Sequence, residues 1–347
     1  MTRPGPLSRR EWLAGAAALL GSACASGQVS VPSSGDATIP ATIETVTGKI
    51  AASRLGVTLM HEHVLVDFIG ADQVSPARYD ANHVFATVLP HLQQVRALGC
   101  DTLVECTPAY LGRDPALLRR LSDASGIHIL SNTGYYGAAR DKHLPRHAFS
   151  ETAEQLAARW AREHEHGIDG TSIKPALMKI GVDDAPLSAI DRKIVRAAGL
   201  AHRATGLPIA SHTGAGAAAL EQLDLLEHAG VKRSAFIWVH AQSEADTTFH
   251  TRVATLGAWV EFDGISAAST ARHADLVRRM KQQGLFGHVL VSHDAGWYRV
   301  GEPGGGQFRP YDTLFTTFVP ALRAAGFGEP DTRQLLVTNP RRALAGS

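Results

Sequence analysis

Short apolar runs alternate with amphipathic stretches along most of this chain. Eight of the runs are five or six residues long and predict strands, and most are continuously apolar, as strands covered on both faces should be. The stretches between them carry apolar residues at helical spacing, and several end at a glycine. This alternation predicts an α/β fold, a parallel (β/α)8 TIM barrel rather than a doubly wound sheet. The predicted strands are 57–61, 102–106, 128–132, 177–182, 208–212, 236–240, 259–263 and 289–294. The predicted helices include 84–98, 152–164, 189–205, 218–229 and 274–283.

The chain ahead of the first barrel strand predicts a linker followed by a strand pair. Residues 26–42 are rich in serine, proline and glycine, which is typical of a linker. Apolar and polar residues then alternate over 43–50, which predicts a short N-terminal strand pair. The folded domain is therefore expected to span 43–347.

Residues 1–25 predict a twin-arginine (Tat) signal peptide. Paired arginines lie in the signature 8–13, and the apolar stretch 14–20 follows. That stretch is shorter than the roughly 20 residues that a membrane-spanning helix needs. Cleavage is expected after Ala25, with lipidation of Cys24 as the alternative. The mature protein is therefore expected in the periplasm or secreted, or held as a lipoprotein by an anchor at Cys24.

Charge and cysteine content narrow the classes of partner. The 347 residues carry a net charge of +1 with scattered basic residues, so neither nucleic acid nor an acidic membrane surface is expected as a partner. Cys100 and Cys106 flank a predicted strand and are expected to be buried thiols rather than a disulfide. A small-molecule substrate is the expected partner.

Six side chains at the ends of predicted strands form a candidate site for two divalent metal ions, with zinc expected. In a (β/α)8 barrel the reactive residues gather at the carboxyl ends of the strands. Imidazole nitrogen and carboxylate oxygen are zinc ligands. Each residue alone also fits a hydrogen-bonded rim position, but their joint occurrence at one end of five strands favours the metal site. The six are His61, His63, Lys179, His212, His240 and Asp294.

Lys179 is the unusual member of this set. Burial in a barrel disfavours the charged ammonium, and a neutral amine can take up carbon dioxide to become a carbamate that bridges two metals. The alternative is a salt bridge with Asp183, Asp184 or Asp294. Lys174 is a competing candidate, but the proline after it indicates that it precedes the strand.

Such a site indicates hydrolysis by a metal-bridging hydroxide. Two divalent cations, a carbamate, an aspartate and the hydroxide leave a net positive charge, which suits a neutral ester or phosphotriester that becomes anionic on attack. Asp294 is the expected catalytic residue, accepting the hydroxide proton. Other histidines are expected to take no part: His164 and His166 should be solvated, and His293 should face away from the site. The chain has no Gly-x-Ser-x-Gly motif, which argues against a serine hydrolase.

These residues resemble the phosphotriesterase-like family of the amidohydrolase superfamily. The matching stretches occur in family order and at family-like spacing from about Ile43 to the C-terminus. They are 56–63 (GVTLMHEH), 112–114 (GRD), 132–136 (NTGYY), 177–180 (LMKI), 205–213 (TGLPIASHT) and 291–294 (VSHD).

The resemblance implies a binuclear zinc hydrolase and a homodimer. It places His61, His63 and Asp294 on one metal and His212 and His240 on the other. Carboxylated Lys179 and a hydroxide would bridge the two ions.

The resemblance leaves the substrate open between phosphotriesters or aryl esters and lactones. Tyr136 matches the position where lactonase-type members carry a tyrosine that contacts the ligand. Gly264 stands where lactonases usually have an arginine, which weakens the lactonase interpretation. Trp297, Tyr298 and Phe308 are expected to line a leaving-group pocket or, alternatively, to pack the loop after the eighth strand.

The predicted function is therefore a metal-dependent, phosphotriesterase-like hydrolase of ester-type bonds, with a lactonase as the alternative. Two other classes are weighed against it. A non-catalytic exported binding protein would not need the intact ligand set. A mononuclear deaminase of the same superfamily would be expected to carry histidine in place of Lys179.

Overall fold

A computed structural model describes residues 42–345. The predicted signal peptide, Cys24 and all but the last residue of the predicted linker lie outside the described residues. The fold opens with β1 (Thr42–Thr45), which pairs antiparallel with β2 (Gly48–Ala51). The predicted strand pair is confirmed, and it begins one residue inside the predicted linker.

The strands that follow form two parallel sheets within the described residues. The described strands are β3 (Thr58–Val66), β4 (Thr102–Glu105), β5 (His128–Leu130), β6 (Asn132–Thr133), β7 (Leu177–Gly181), β8 (Ile209–His212), β9 (Phe236–Val239), β10 (Trp259–Phe262), β11 (Val289–Val291) and β12 (Ala295–Arg299).

The two sheets join into one ring. Their strand orders are β11-β10-β9-β8-β7-β6 and β12-β3-β4-β5. Only Ser131 separates β5 from β6, and only 292–294 separate β11 from β12, so the chain passes from one sheet to the other at both edges. When β5 with β6 and β11 with β12 are each counted as one barrel strand, here called a stave, eight staves form the ring, and the predicted TIM barrel is confirmed.

Helices connect the strands and cover the outside of the barrel. The helix over 189–205 shows why they form: Ser188 caps its first turn, it buries Ile194 and Val195, and Gly206 ends it in the left-handed conformation. The helices are α1 (Ala81–Ala97), α2 (Pro115–Ser125), α3 (Arg146–Ser150), α4 (Ala153–His166), α5 (Ala189–Thr205), α6 (Gly216–His228), α7 (Thr247–Thr255), α8 (Thr270–Gln282), α9 (Val319–Ala324), α10 (Glu329–Arg333) and α11 (Asn339–Ala345).

The N-terminal strand pair closes the base of the barrel. Ile43 and Ile50 pack in one buried cluster with interior residues such as Leu177 and Leu290. Val46 N donates to Ile129 O at 2.9 Å, at the amino-terminal end of the ring. The amino-terminal ends of the strands are thereby sealed, and the carboxyl ends are left to form a pocket.

Several predicted boundaries were wrong. β3 does not end at His61, as predicted, but runs on to Val66, because its last residues pair with β12, which was not predicted. The helices α2 and α7 were also missed. His166 is exposed as predicted, whereas His164 is half-buried. Cys100 and Cys106 are buried free thiols, as predicted. None of the described helices has the length and apolarity to cross a membrane.

Candidate metal centre

A pocket opens at the carboxyl ends of the barrel strands, and all six predicted ligand residues line it. β3 supplies two of them, β7 and β8 one each, and the other two follow the ends of β9 and β11. Residues up to 233 positions apart in sequence (61 and 294) thus meet at one place, as the barrel topology requires. The six are His61, His63, Lys179, His212, His240 and Asp294.

Three of these residues converge on one point. His61 Nε2 and His63 Nε2 are 3.2 Å apart. Asp294 Oδ1 lies 3.1 Å from His63 Nε2 and 3.8 Å from His61 Nε2. Their ligand atoms all lie within 4.8 Å of one another, which is a spacing that one metal ion can bridge.

His212, His240 and Lys179 form the other half of the pocket. The rings of His212 and His240 are 4.3 Å apart between centroids, and the rings of His61 and His240 are 5.0 Å apart. Lys179 is 2% exposed, and no carboxylate of the described residues lies within 4.0 Å of its Nζ. The salt-bridge alternative is therefore not formed. Asp183 instead accepts the backbone N–H groups of Ala139 and Arg140.

Asp263, which the sequence analysis did not select, orients two of the imidazoles. Its carboxylate lies 3.2 Å from His61 Nδ1 and 2.6 Å from His240 Nδ1. A carboxylate only accepts, so both histidines carry their proton on Nδ1 and present the Nε2 lone pair to the pocket. His63 Nδ1 lies 2.8 Å from Thr107 Oγ1, a hydroxyl that can either accept or donate this hydrogen bond. The signal for Asp263 was its place directly after β10, at the carboxyl end of the seventh stave.

Burial favours the neutral form of His61 and His212. Loss of hydration lowers the pKa of His61 to about 4, against the opposing attraction of Asp263. Burial also lowers the pKa of His212 well below its usual value, helped by His240 and Lys179. For Asp294, burial alone would raise the pKa, but the hydrogen bond to His63 and the neighbouring imidazoles lower it overall. Neutral imidazoles and an ionised carboxylate are the protonation states that bind metal.

Glu62, between the two histidines of β3, fastens the segment that carries Asp294. Successive residues of a strand face opposite sides, so Glu62 points away from the pocket. Its carboxylate accepts from Ser292 Oγ at 2.8 Å, from His293 Nδ1 at 2.6 Å and from the backbone N–H groups of His293 and Ala295. His293 thus faces away from the site, as predicted.

This anchoring matters because the Asp294 backbone is strained. Its φ is +52°, a left-handed conformation that a residue other than glycine adopts at a cost. Asp294 N donates to His61 O at 3.0 Å, which ties the break in the eighth stave to β3. Glu62 and His61 together therefore fix where the Asp294 carboxylate lies.

The predicted substrate-contacting residues divide into two groups. Tyr136 lines the pocket with its hydroxyl 3.1 Å from His212 Nε2, and Trp297 lines it with its ring 5.4 Å from that of His63. Tyr298 is a correction: it follows Trp297 on β12, faces the other side and hydrogen-bonds His83 on α1 at 2.7 Å. Phe308 is also outside the pocket, stacked on His91 at 4.5 Å.

The outer wall of the pocket is apolar. Phe68 is 40% exposed at its edge and lies 5.4 Å from the ring of Trp297. The wall consists of Val66, Phe68, Pro108, Leu111 and Trp297. Imidazoles and carboxylate on one side and apolar side chains on the other suit a small organic molecule whose polar reacting group meets the ligand residues.

Comparison with known proteins agrees with this geometry. The model of the phosphotriesterase family matches residues 41–344. The chain belongs to the phosphotriesterase family. The phosphotriesterase homology protein of Escherichia coli is 31% identical over 289 residues, covering 82% of this chain and 96% of that protein. The N-acetyltaurine hydrolase of Homo sapiens is 27% identical, covering 87% of this chain and 97% of that protein. The structure of an organophosphorus hydrolase from Deinococcus radiodurans superposes with a TM-score of 0.78 at 28% identity, covering 88% of this chain and 98% of that chain.

Membership of the phosphotriesterase family makes this protein a hydrolase of the phosphotriesterase type. The family is metal-dependent, and the cluster of His61, His63 and Asp294 is a group that could hold a metal ion. The predicted family resemblance is thereby confirmed.

Proposed function

We propose that this protein is a zinc-dependent hydrolase of ester-type bonds with two metal ions at the pocket, acting on phosphotriesters or aryl esters. The observation that carries the proposal is the 3.2 Å separation of His61 Nε2 and His63 Nε2. The Nδ1–H of His61 donates to Asp263, and Thr107 Oγ1 lies 2.8 Å from His63 Nδ1, so both rings turn Nε2 towards each other and towards Asp294. A divalent cation there would have two imidazole nitrogens and one carboxylate as ligands, so the residues fit a metal.

Lys179 completes the proposed second half of the centre. Among the described residues that line the pocket, Asp294 is the one carboxylate, whereas Asp263 does not line the pocket and accepts the Nδ1–H of His240. A Lys179 carboxylated by carbon dioxide would supply the missing anionic oxygens there. Its burial and the lack of a carboxylate partner within 4.0 Å support this assignment.

Different residues of the chain have different roles in the proposed hydrolysis. Divalent ions held there would supply Lewis acidity towards a substrate oxygen and lower the pKa of water. Asp294, ionised and beside His63, accepts the proton released as water adds to the substrate. The Tyr136 hydroxyl lies beside His212, where it can contact the substrate, and Trp297 packs against its apolar part.

A lactone is the second candidate substrate. Tyr136, with its hydroxyl at His212, favours it. Gly264 stands against it, since the lactonase-type members of the family usually carry an arginine there. Export by the twin-arginine route and a homodimeric state stay predictions from the sequence.

A substrate panel tests the proposal. Protein reconstituted with zinc and bicarbonate is assayed with a chromogenic aryl ester, a lactone and a phosphotriester, with and without a chelator. We expect turnover that the chelator abolishes and zinc restores. Two bound metals without turnover of any substrate would favour the non-catalytic binding protein.

Metal stoichiometry tests the role of Lys179. Lys179→Met is expected to reduce the bound metal from two ions per chain to one or none, measured by elemental analysis. Lys174→Met is the matched control, because Lys174 is five residues earlier and not among the residues that line the pocket. One metal per chain in the unmodified protein would instead favour a mononuclear site.

A further inference from the structure

Trp297, in the apolar wall of the pocket, has a strained backbone and an indole N–H without an acceptor among the described residues. Its φ is +70°, in the left-handed region, which a bulky side chain rarely occupies. Its indole Nε1 is buried and has no acceptor among the described residues. Buried N–H groups normally find a partner, and backbone strain of this kind is concentrated at ligand sites. Both features point to a ligand that approaches this side of the pocket.

Two arginines lie against the same ring. The guanidinium carbons of Arg299 and Arg309 are 5.5 and 6.0 Å from the centroid of the Trp297 ring. Arg299 Nε is buried without an acceptor among the described residues, although its Nη1 lies 3.5 Å from Glu302. Arg309 donates to His293 O at 3.4 Å, and no carboxylate of the described residues lies within 4.0 Å of it. The region therefore has more positive charge and more N–H donors than its own acceptors can satisfy.

We propose that Trp297, Arg299 and Arg309 form a subsite for an anionic group carried by the substrate, a sulfonate or a carboxylate. The planar guanidinium group binds two oxygens of such an anion at once, and the unpaired N–H groups beside it supply further donors. The inference rests on the proposed hydrolase function, because the anionic group would belong to the molecule whose ester-type bond is hydrolysed.

The position of the subsite fixes the shape of that substrate. The Trp297 ring contacts His63, with ring centroids 5.4 Å apart, and it also contacts both arginines, neither of which is among the residues that line the pocket around the candidate ligands. Val66, Phe68 and Leu111 supply apolar lining in that pocket. A short apolar spacer between the reacting bond and the anionic group therefore suits the pocket.

A purely structural role for the arginines makes a different prediction. Stacking on Trp297 alone would stabilise the wall through cation–π contacts. Removing the arginines would then weaken the binding of charged and neutral ligands equally. A matched pair of ligands that differ only in charge separates the two roles.

The experiment measures binding rather than turnover. Benzenesulfonate and its neutral analogue methyl phenyl sulfone are titrated into metal-loaded protein by calorimetry. The variants are Arg299→Met, Arg309→Met and the double substitution. Arg119→Met is the control, an exposed arginine on α2 that lies 4.0 Å from Asp123.

We expect the double variant to bind benzenesulfonate at least about tenfold more weakly, since charge-assisted hydrogen bonds are lost, and to bind the sulfone within about twofold of the unmodified protein. The difference in affinity between the two proteins should shrink as salt is added, because salt screens the attraction between the partly exposed arginines and the sulfonate. Trp297→Phe, which removes the N–H together with part of the ring, should weaken sulfonate binding by a smaller factor.

Three results would overturn the subsite. One is an equal loss of both ligands in the double variant, which would assign the arginines to the wall alone. A second is sulfonate binding that does not depend on the arginines, which would place the anion on the metals. A third is inorganic sulfate binding as tightly as benzenesulfonate with the same arginine dependence, which would indicate a free anion instead of a substrate. Because no step requires turnover, failure of the proposed hydrolysis would leave these results interpretable.

Discussion

The chemistry of single residues at this site depends on where the imidazole protons lie. Asp263 accepts hydrogen bonds from the Nδ1–H groups of His61 and His240, and this leaves both Nε2 atoms as bases facing the pocket. Asp263 would be neither a substrate contact nor a metal ligand in this arrangement. It acts by fixing the tautomer and orientation of the rings that would be ligands.

Asp294→Asn tests the proton-accepting role. The amide is nearly isosteric but cannot take up a proton, so we expect kcat to fall by a factor of about 10² to 10⁴. Most of the bound metal should be retained, because the imidazoles remain. Steady-state kinetics on the best substrate of the panel and elemental analysis of the same sample measure both quantities. Unchanged kcat with full metal content would assign the proton to another group.

Glu62→Gln tests how Asp294 is held. The carboxylate accepts from His293, Ser292 and Ala295, and an amide would turn one of its acceptors into a donor facing N–H groups. We expect the free energy of unfolding to fall by about 2 kcal/mol and kcat to fall with little change in KM. Urea unfolding and steady-state kinetics measure these effects.

Glu165→Gln is the control for that experiment, since its carboxylate is 72% exposed on α4. It should change neither quantity. A Glu62→Gln protein with full activity and stability would show that the backbone hydrogen bonds of 292–295 suffice to place Asp294.

At the scale of elements, the alternation of strands and helices predicted the staves but not how the eighth one is built. Runs of apolar residues mark β7, β8 and β9 because those strands are buried on both faces. The apolar run of the eighth stave ends at Val291, and the stave resumes at Ala295 after a break. Neither the break nor the pairing of β12 with β3 has a periodic signature, since both depend on contacts with residues about 230 positions away.

The strand β12, which was not predicted, also explains why Tyr298 lies outside the pocket. The sequence places Trp297 and Tyr298 next to each other after a predicted metal ligand, so both were expected in the pocket. Once β12 is recognised as a strand, the two side chains must face opposite sides. The pairing of β12 thus determines that Trp297, and not Tyr298, lines the pocket.

Gly296→Ala tests the packing of β12 on β3. A methyl group at Gly296, whose φ is +94°, would collide with the backbone carbonyl of His63 and with the Tyr311 hydroxyl. We expect a loss of more than about 3 kcal/mol in the free energy of unfolding, because both clashes involve buried atoms. Gly304→Ala is the matched control, with φ of +62° and no atom within 4 Å of the added methyl. It should cost only about 1 kcal/mol of backbone strain, measured by urea unfolding. Equal losses in the two variants would mean that β12 moves easily.

At the scale of the whole molecule, the pocket could be predicted from the sequence because the barrel topology brings the carboxyl ends of all eight staves together. Six residues spread from 61 to 294 needed only a place at the carboxyl end of their staves to be expected together. The residues that support them, Glu62 and Asp263, were missed. The hydrogen-bond partners of each are set by three-dimensional packing. In the sequence, a carboxylate that holds a loop cannot be told from one that orients an imidazole.

Folding also removes water from several histidines, which couples the stability of the whole chain to pH. His143 is 3% exposed between the rings of Tyr136 and Phe68, and burial lowers its pKa to about 4. In the unfolded chain the same side chain titrates near about 6.5. Between these two values the unfolded state binds more protons, so the free energy of unfolding must fall as the pH drops from about 6.5 towards 4.

His143→Gln isolates this contribution, because glutamine does not titrate. Between pH 7.5 and 5.0 the unmodified protein should lose about 2 kcal/mol more of its free energy of unfolding than the variant does, as expected for one proton taken up on unfolding. Urea unfolding of metal-free protein at several pH values gives the slope for each protein. His166→Gln, an exposed position on α4, should leave the slope of the unmodified protein unchanged. A His143→Gln slope equal to that of the unmodified protein would mean that His143 is already protonated in the folded state, and so that water reaches it beside the pocket wall.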